Sequence, residues 1–470
     1  MASCGNPSAE NDALMQRRKK YDKSKTCVKC KAARGSIVIR HAVYCRDCFT
    51  DLLLYRSRRI LDLSVHGGSG KKRIMKAPGN LMIGYSGGLG SSVLLDLVTR
   101  TYFTDRSEEF VQRSGMNHPR HTRVWENAYA TYIDISAAFE GLQDRTEEAR
   151  SCMTRYPNIE LVSLRLENVF DASWWRSIGS KPEGSLAVDL NDELALSHLD
   201  LADGEDASKR ALRQYLSSLP TQTAVHSAVQ TLIRMLLLHT AVSRGCSHLA
   251  LGTSLTSLSV SLIASISQGG GFAVREELGE DWEKEGAKLR ILRPLHEIGM
   301  KECAAWAWWE SLPVVGKQKI PGGKNGITSL TKVDFIVGLE KDYPSTVSTI
   351  ARTCAKLAPK QVSEFRCALC QRPAQPDIAE WKGKTSIRSL DPDEHAPSAN
   401  PSLSSSLCYA CHTTLTSRSS RGAATQSDSP LRVPLPVWIA DDQTHRSHLR
   451  EARLSREQMK ATIADCLLDE

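Results

Sequence analysis

The sequence predicts an α/β protein, a doubly wound parallel sheet flanked by N- and C-terminal Cys4 zinc modules. Three observations lead there. Apolar runs of strand length alternate with longer runs of helical spacing, the pattern of a parallel sheet covered on both faces. A Ser/Gly loop, Ser86 to Ser91, separates the first of these strands from the helix that follows it. Four CxxC pairs bracket the region, two before it and two after it.

In chain order, residues 1–25 are polar and charged, with Gln16 followed by Arg-Arg-Lys-Lys, and read as a disordered basic tail. Residues 26–77 hold the first cysteine module and a linker containing the Gly- and Lys-rich run His66 to Arg73. The body spans 78–355. Its candidate strands are 81–85, 130–135, 159–164, 247–251 and 289–292. Its clearest helix runs over 224–242, where Leu232, Ile233, Leu236 and Leu237 crowd together. The acidic stretch 184–209 reads as an insertion. Residues 356–430 form a C-terminal CxxC module with a Ser/Pro-rich insertion, whose composition buries too little apolar surface to order itself. Residues 431–470 are a tail ending in an amphipathic helix. There Ser455 and Gln458 make a capping-box pattern, and Met459, Ile463, Cys466 and Leu467 share one face.

At 470 residues the chain exceeds one ordinary domain, and about 100–200 residues per domain predicts two to four units. No stretch approaches the ~18 apolar residues of a membrane span, and the first residues carry no apolar secretory segment. The expected compartment is cytoplasmic, with no membrane partner. Thiols stay reduced there, so the 14 cysteines are expected to be free or metal-bound rather than in disulfides. The net charge of +8 is concentrated at the front, since the first 80 residues carry 18 Lys and Arg against 6 Asp and Glu. Such a module suits a polyanion. Arg34, Arg40, Arg46, Arg56, Arg58 and Arg59 surround the first cysteines and are candidate RNA contacts, with a plain solvated basic face as the alternative.

The cysteine spacing carries specific chemistry. Cys27, Cys30, Cys45 and Cys48 are two CxxC turns in near-ribbon spacing, each offering two thiolates to one ion. Two turns close a tetrahedral site with no open position, which predicts structural zinc, with a redox pair as the competing reading. Cys367, Cys370, Cys408 and Cys411 repeat the arrangement across a longer gap, tolerable because loop closure costs grow slowly with length. His412 is a bystander beside Cys411. The Ser86–Ser91 loop turns on glycines and leaves N–H groups free at a helix start, the makings of an anion cradle. It is not a GxxxxGKS/T loop, because no Lys follows its last glycine. Ser86, Gly87, Gly88, Gly90 and Ser91 are its candidate phosphate-binding residues.

This loop resembles the SGGxDS pyrophosphate loop (PP-loop) of the N-type ATP pyrophosphatases, with Gly90 where that family carries Asp. The Cys4 module, loop domain and C-terminal CxxC pairs together resemble the two-subunit cytoplasmic tRNA 2-thiolation system, which converts the wobble uridine of certain tRNAs to 2-thiouridine. Lys288 to Leu295 and Lys301 to Trp306 resemble its strand and helix after the nucleotide site. Val333 to Glu340, Tyr343 to Val347 and Ile350 to Thr353 resemble its late helical stretch.

The departures single out a subunit. The catalytic subunit's loop Asp helps hold magnesium, and Gly90 offers no carboxylate. Where that family has Gly-His-Asn-x-Asp-Asp, residues 252–257 read Gly-Thr-Ser-Leu-Thr-Ser, and hydroxyls alone hold Mg²⁺ poorly. The sulfur-carrying thiols are missing too: Leu219 to His226 and Leu292 to Leu295 contain no cysteine, while Cys246 and Cys303 stand alone. The resemblance is therefore to the non-catalytic subunit, with no catalytic residue in this chain. It implies a heteromer with the catalytic PP-loop subunit, binding to tRNA, and ATP and Mg²⁺ in the partner. There ATP adenylates the uridine and a thiocarboxylated ubiquitin-like carrier supplies sulfur. The loop in this chain would be a vestigial nucleotide or phosphate site. A stand-alone active thiolase, and a zinc-ribbon nucleic-acid binder with a purely structural body, are the alternatives.

Overall fold

The computed structural model describes residues 25–65, 77–104, 123–180, 184–190, 194–199, 204–284, 286–316, 335–357, 365–375, 402–417 and 432–440, with 182, 363 and 378. The expected basic tail, most of the linker, most of the Ser/Pro-rich stretch and the helix expected around Met459 lie outside them.

The chain opens with a hairpin, β1 (Ile37–Ile39) and β2 (Ala42–Tyr44), followed by the helix Arg46–Val65. The sheet strands are β3 (Asn80–Gly84), β4 (Ala128–Asp134) and β5 (Glu160–Arg165). A second hairpin, β6 (Ser185–Asp189) and β7 (Ala195–Leu199), precedes β8 (Cys246–Leu251), β9 (Glu280–Lys284) and β10 (Ala287–Leu292), and β11 (Arg432–Pro434) comes last. The main sheet has six strands in the order β5-β4-β3-β8-β10-β9. Five are parallel, and only β9 runs against its neighbour, β10. The five sequence-derived strands are the five parallel ones, with ends shifted by one or two residues. The antiparallel edge was not expected: Glu-Asp-Trp-Glu-Lys alternates charge with one large apolar residue, as an edge strand does and a buried parallel strand does not.

Alternate residues of the strands feed two cores. Met82, Val162, Leu164, Leu249, Leu289 and Ile291 face one side, under the helix Gln222–Ser243. Leu81, Ile83, Ala130, Ala250 and Leu292 face the other, under the helices Leu89–Val98 and Met300–Trp309. Trp125, Trp175, Trp306 and Trp438 are fully buried. At ~25 cal/mol per Å² over 150–250 Å² each contributes roughly 4–6 kcal/mol before entropy. On the second side Asp96, itself buried, accepts from Trp306 Nε1 at 2.9 Å and pairs with Arg100 at 2.8 Å. That charge-compensated bridge fixes the helix Met300–Trp309 against Leu89–Val98.

The acidic stretch 184–209 contains the β6–β7 hairpin and the start of the helix Glu205–Ser218. The hairpin pairs with β11, giving a three-stranded antiparallel sheet.

Candidate nucleotide loop and cysteine centres

Strand order reverses between β3 and β8: the chain adds β4 and β5 on one side of β3, then β8 and β10 on the other. Ligands of such sheets sit outside the carboxyl ends at this switch point, where the Ser86–Ser91 loop lies. Gly87 takes φ +69°, which lets the chain turn, and Gly88 is the N-cap of the helix Leu89–Val98 with no side-chain cap bond. The hydroxyls serve the loop itself. Ser91 Oγ donates to Gly88 O at 2.9 Å and accepts from Ser86 N at 3.2 Å, with Ser86 Oγ 3.3 Å away.

The facing loop after β8 comes into direct contact. A Cβ added to Gly90 would lie 2.1 Å from Gly252 O, and one added to Gly252 would lie 2.6 Å from the Gly90 backbone. No side chain fits at either position while the two loops stay this close. The hydroxyls of the second loop are engaged as well. Ser254 caps the helix Leu255–Ser267 through Ser257 N, and Thr256 donates to Glu340 at 3.0 Å while accepting from Met300 N at 3.0 Å. A third segment crosses the loop: Gly316 N donates to Gly87 O at 3.0 Å, and Arg145 holds Val315 O at 2.8 Å.

Two buried carboxyls at the neighbouring strand ends escaped the sequence reading. Asp134 ends β4 and accepts from Ser136 Oγ at 2.5 Å; Glu167 follows β5. Each keeps one oxygen without a hydrogen-bond partner among the described residues. Burial raises both above the usual carboxylate range. The available signal was their position just past the carboxyl end of a strand flanking the crevice. Cys246 and Cys303 are buried thiols that burial pushes up, Cys246 to about 12, which disfavours their thiolates.

The eight CxxC cysteines assemble as two groups of four, and within each the sulfurs all lie within 4.8 Å of one another. Cys30 to Cys45 and Cys370 to Cys408 are each 3.8 Å apart. A tetrahedral ion with metal–sulfur bonds of about 2.3 Å needs edges of about 3.8 Å, so one ion fits each group. A cluster, with each thiolate on a different iron, would spread them further.

The two groups share a local design. The residue after each first pair takes positive φ, Lys31 at 58° and Gln371 at 52°. Lys31 N returns to Cys27 O at 2.9 Å and Gln371 N to Cys367 O at 2.8 Å, closing the knuckle. Each second pair opens a helix, Arg46–Val65 or Tyr409–Thr416, whose positive end favours thiolates. Burial opposes ionisation of Cys27, but N–H groups of Cys30, Cys45 and Lys29 bring it down to about 6. Burial and then the neighbouring sulfurs push Cys48 up to about 12. In the second group sulfur contacts, led by Cys367, lower Cys370 and raise Cys408 and Cys411.

The basic residues of the first module mostly face acids. Arg46 reaches Glu310 at 3.5 Å, Arg56 Glu302 at 3.3 Å, Arg59 Glu297 at 2.6 Å and Arg58 Asp62 at 3.0 Å. Three of these pairs tie the helix Arg46–Val65 to the body. Arg40 sits at the β1–β2 turn with φ 54°, and Arg34 bridges Thr26.

A glycine loop at the switch point of a mostly parallel sheet, with a Cys4 group on either side of it in the chain, defines a doubly wound α/β protein with two cysteine centres. Residues 326–413 match the sequence model of the family cytoplasmic tRNA 2-thiolation protein 2. The protein of that name from Danio rerio is 25% identical over 95% of this chain and 95% of its own length. The Homo sapiens protein is 26% identical over 80% of this chain and 76% of its own length. The chain is thus similar to cytoplasmic tRNA 2-thiolation protein 2 along nearly its whole length. The solved U34-tRNA thiolase NcsA from Methanococcus maripaludis, determined with its 4Fe-4S cluster, superposes with a TM-score of 0.45 at 17% identity, covering 77% of this chain and 97% of its own. Among the described residues no helix is long and apolar enough to cross a membrane.

Proposed function

We propose that this chain is the non-catalytic subunit of a cytoplasmic tRNA wobble-uridine 2-thiolase. It binds tRNA and forms a heteromer with a catalytic PP-loop thiolase, which supplies ATP chemistry and takes sulfur from a thiocarboxylated ubiquitin-like carrier. The relatives' names support the process. The observation that carries the subunit assignment is the backbone contact between Gly90 and Gly252. The loop keeps its glycine cradle, yet Gly90, where the family's loop carboxylate would stand, has no room for a side chain, and Thr256 and Ser257, where its later carboxylates would stand, carry hydroxyls. Zinc is the metal that both cysteine groups suit, since four thiolates at tetrahedral spacing leave no position open for chemistry.

The test is the purified chain with ATP, Mg²⁺, tRNA and a sulfur donor, alone and with the thiolase that co-purifies from cell extract. The expected result is no AMP from the chain alone and thiolated tRNA only from the pair. Steady AMP release by the chain alone would overturn the assignment, as would the absence of any PP-loop partner in the pull-down.

A further inference from the structure

Among the described residues, Trp308 is the large apolar side chain left furthest in solvent, 81% exposed in a molecule that buries four other tryptophans completely. It sits in the last turn of the helix Met300–Trp309. Its neighbours on that face, one and two turns back, are Lys301, Ala304 and Ala305, so the ring stands over a low shelf rather than within an apolar patch. Three guanidinium groups gather at the same helix end. Arg46 donates to Trp309 O at 2.8 Å with its carbon 6.0 Å from the Trp309 ring centre. Arg155 donates to the carbonyls of Glu310 and Ser311, at 3.0 Å each. Arg100 pairs with Glu310 at 2.6 Å and with Asp96.

These contacts cap the helix and hold the arginines in place. They do not neutralise them: three guanidinium groups meet two carboxylates, and Arg155 has no carboxylate within ion-pair distance among the described residues. An exposed indole on a helix whose end is held by arginines is the kind of platform that unstacked nucleobases use, the ring taking the base and nearby cations the adjoining phosphates. A protein partner would more often meet a continuous apolar surface.

We infer that Trp308, on the helix whose last carbonyls hold Arg46 and Arg155, is a stacking site for an unpaired base of bound RNA. This rests on the tRNA-binding reading above and names where one contact falls. The site lies at the far end of its helix from the nucleotide loop. It therefore anchors the RNA rather than presenting the reacting base.

The test compares wild type, Trp308→Ala, Trp308→Phe and Arg155→Gln in binding an unmodified tRNA transcript, with thermal unfolding as the control for folding. Trp308→Ala should weaken binding about tenfold, from the loss of one stacked base. Trp308→Phe should restore most of it, and Arg155→Gln should flatten the salt dependence by about one phosphate contact. Indole fluorescence should be quenched by tRNA in wild type and visibly less in Trp308→Phe. Equal affinity of wild type and Trp308→Ala would overturn the stacking site while leaving tRNA binding intact. Loss of the co-purifying thiolase in Trp308→Ala, with tRNA affinity unchanged, would assign the surface to protein and overturn it too. If wild type bound no tRNA, the broader reading would fall with it.

Discussion

The two cysteine groups have the same knuckle and the same helix opening, and they sit in opposite surroundings. The N-terminal group has a core of its own made of Cys27, Cys45, Cys48 and Tyr44, with Cys30 exposed. The module joins the body around it: Ile39 of the hairpin and Phe49, Leu53 and Leu61 of its helix are buried in the second core, Phe49 packing edge-on to Trp309 at 5.2 Å, and ion pairs in partial contact with water add to them. The C-terminal group lies inside the larger core, with Cys367, Cys370 and Cys411 packed among Leu369, Leu403, Leu415 and Trp438. Its backbone is held by the body: Arg234 donates to Cys370 O at 2.6 Å and Trp438 Nε1 to Leu369 O at 3.2 Å. Trp282 Nε1 adds a bond to Gln371 at 3.2 Å, and Arg372 pairs with Glu277 at 2.5 Å. One motif thus makes a small sulfur cluster of its own at the edge of the body at one end and part of the main core at the other. Metal should stabilise local structure in the first case and the whole body in the second.

The largest expected effect follows directly. Cys411→Ser removes a ligand from a site built into the core; structural zinc sites bind with roughly 10–16 kcal/mol in small peptides, against a global stability of about 5–15 kcal/mol. The body should fail to fold or lose its cooperative transition by circular dichroism. Cys45→Ser should leave that transition in place and open only residues 25–48 to trypsin. If both variants unfolded alike, the contrast would be lost.

Next in size are the tethers. Arg372→Met removes the nearer of the two guanidinium partners of Glu277, leaving Arg293 at 3.9 Å, and should cost about 3 kcal/mol, read by urea unfolding. Arg59→Met breaks a pair about half exposed on each side, and should cost less than about 1 kcal/mol. Comparable losses would mean the N-terminal module is integral after all.

The pH dependence should run in opposite directions. Burial opposes the Glu277 carboxylate, but Arg372 and Arg293 outweigh it and hold it at about 2, against 4.5 unfolded. Its contribution, roughly 3 kcal/mol by linkage, is complete above pH 4.5 and fades as pH falls toward 2. Burial raises Glu302, the partner of Arg56 on the N-terminal helix, to about 7. The folded state then holds the extra proton, so this group makes stability fall as pH rises from 4.5 through 7. Glu277→Gln should remove the acid-side loss and Glu302→Gln the neutral-side slope in stability profiles. A Glu302→Gln profile parallel to wild type between pH 4.5 and 7 would refute the second half. The smallest effect belongs to the exposed Lys29–Asp51 pair, where Lys29→Ala should leave the urea unfolding midpoint unchanged.

Much of the fold was legible because it is local. Five parallel strands and the helix Gln222–Ser243 follow from apolar runs and periodicity, and the cysteine groups from a turn that brings two thiols together. The loop after β3 was legible from its glycines, although the sequence could report only that Gly90 lacks a carboxylate. The pairing of the acidic stretch with β11 was not legible, nor were Asp134 and Glu167, since a single acid in an apolar run looks the same buried or exposed.

The sequence by itself determined the class of sheet, the position of the anion loop and which eight thiols could share metals. Those depend on backbone turns and on spacings of a few residues. Only the tertiary structure decided that Gly90 and Gly252 close on each other, that Arg46 meets Glu310 264 residues away, and that the second cysteine group lies within the main core while the first forms a small cluster beside it. The physical reason is that burial and ion pairing between distant segments depend on how helices and strands pack, and periodicity records only which side of an element is apolar.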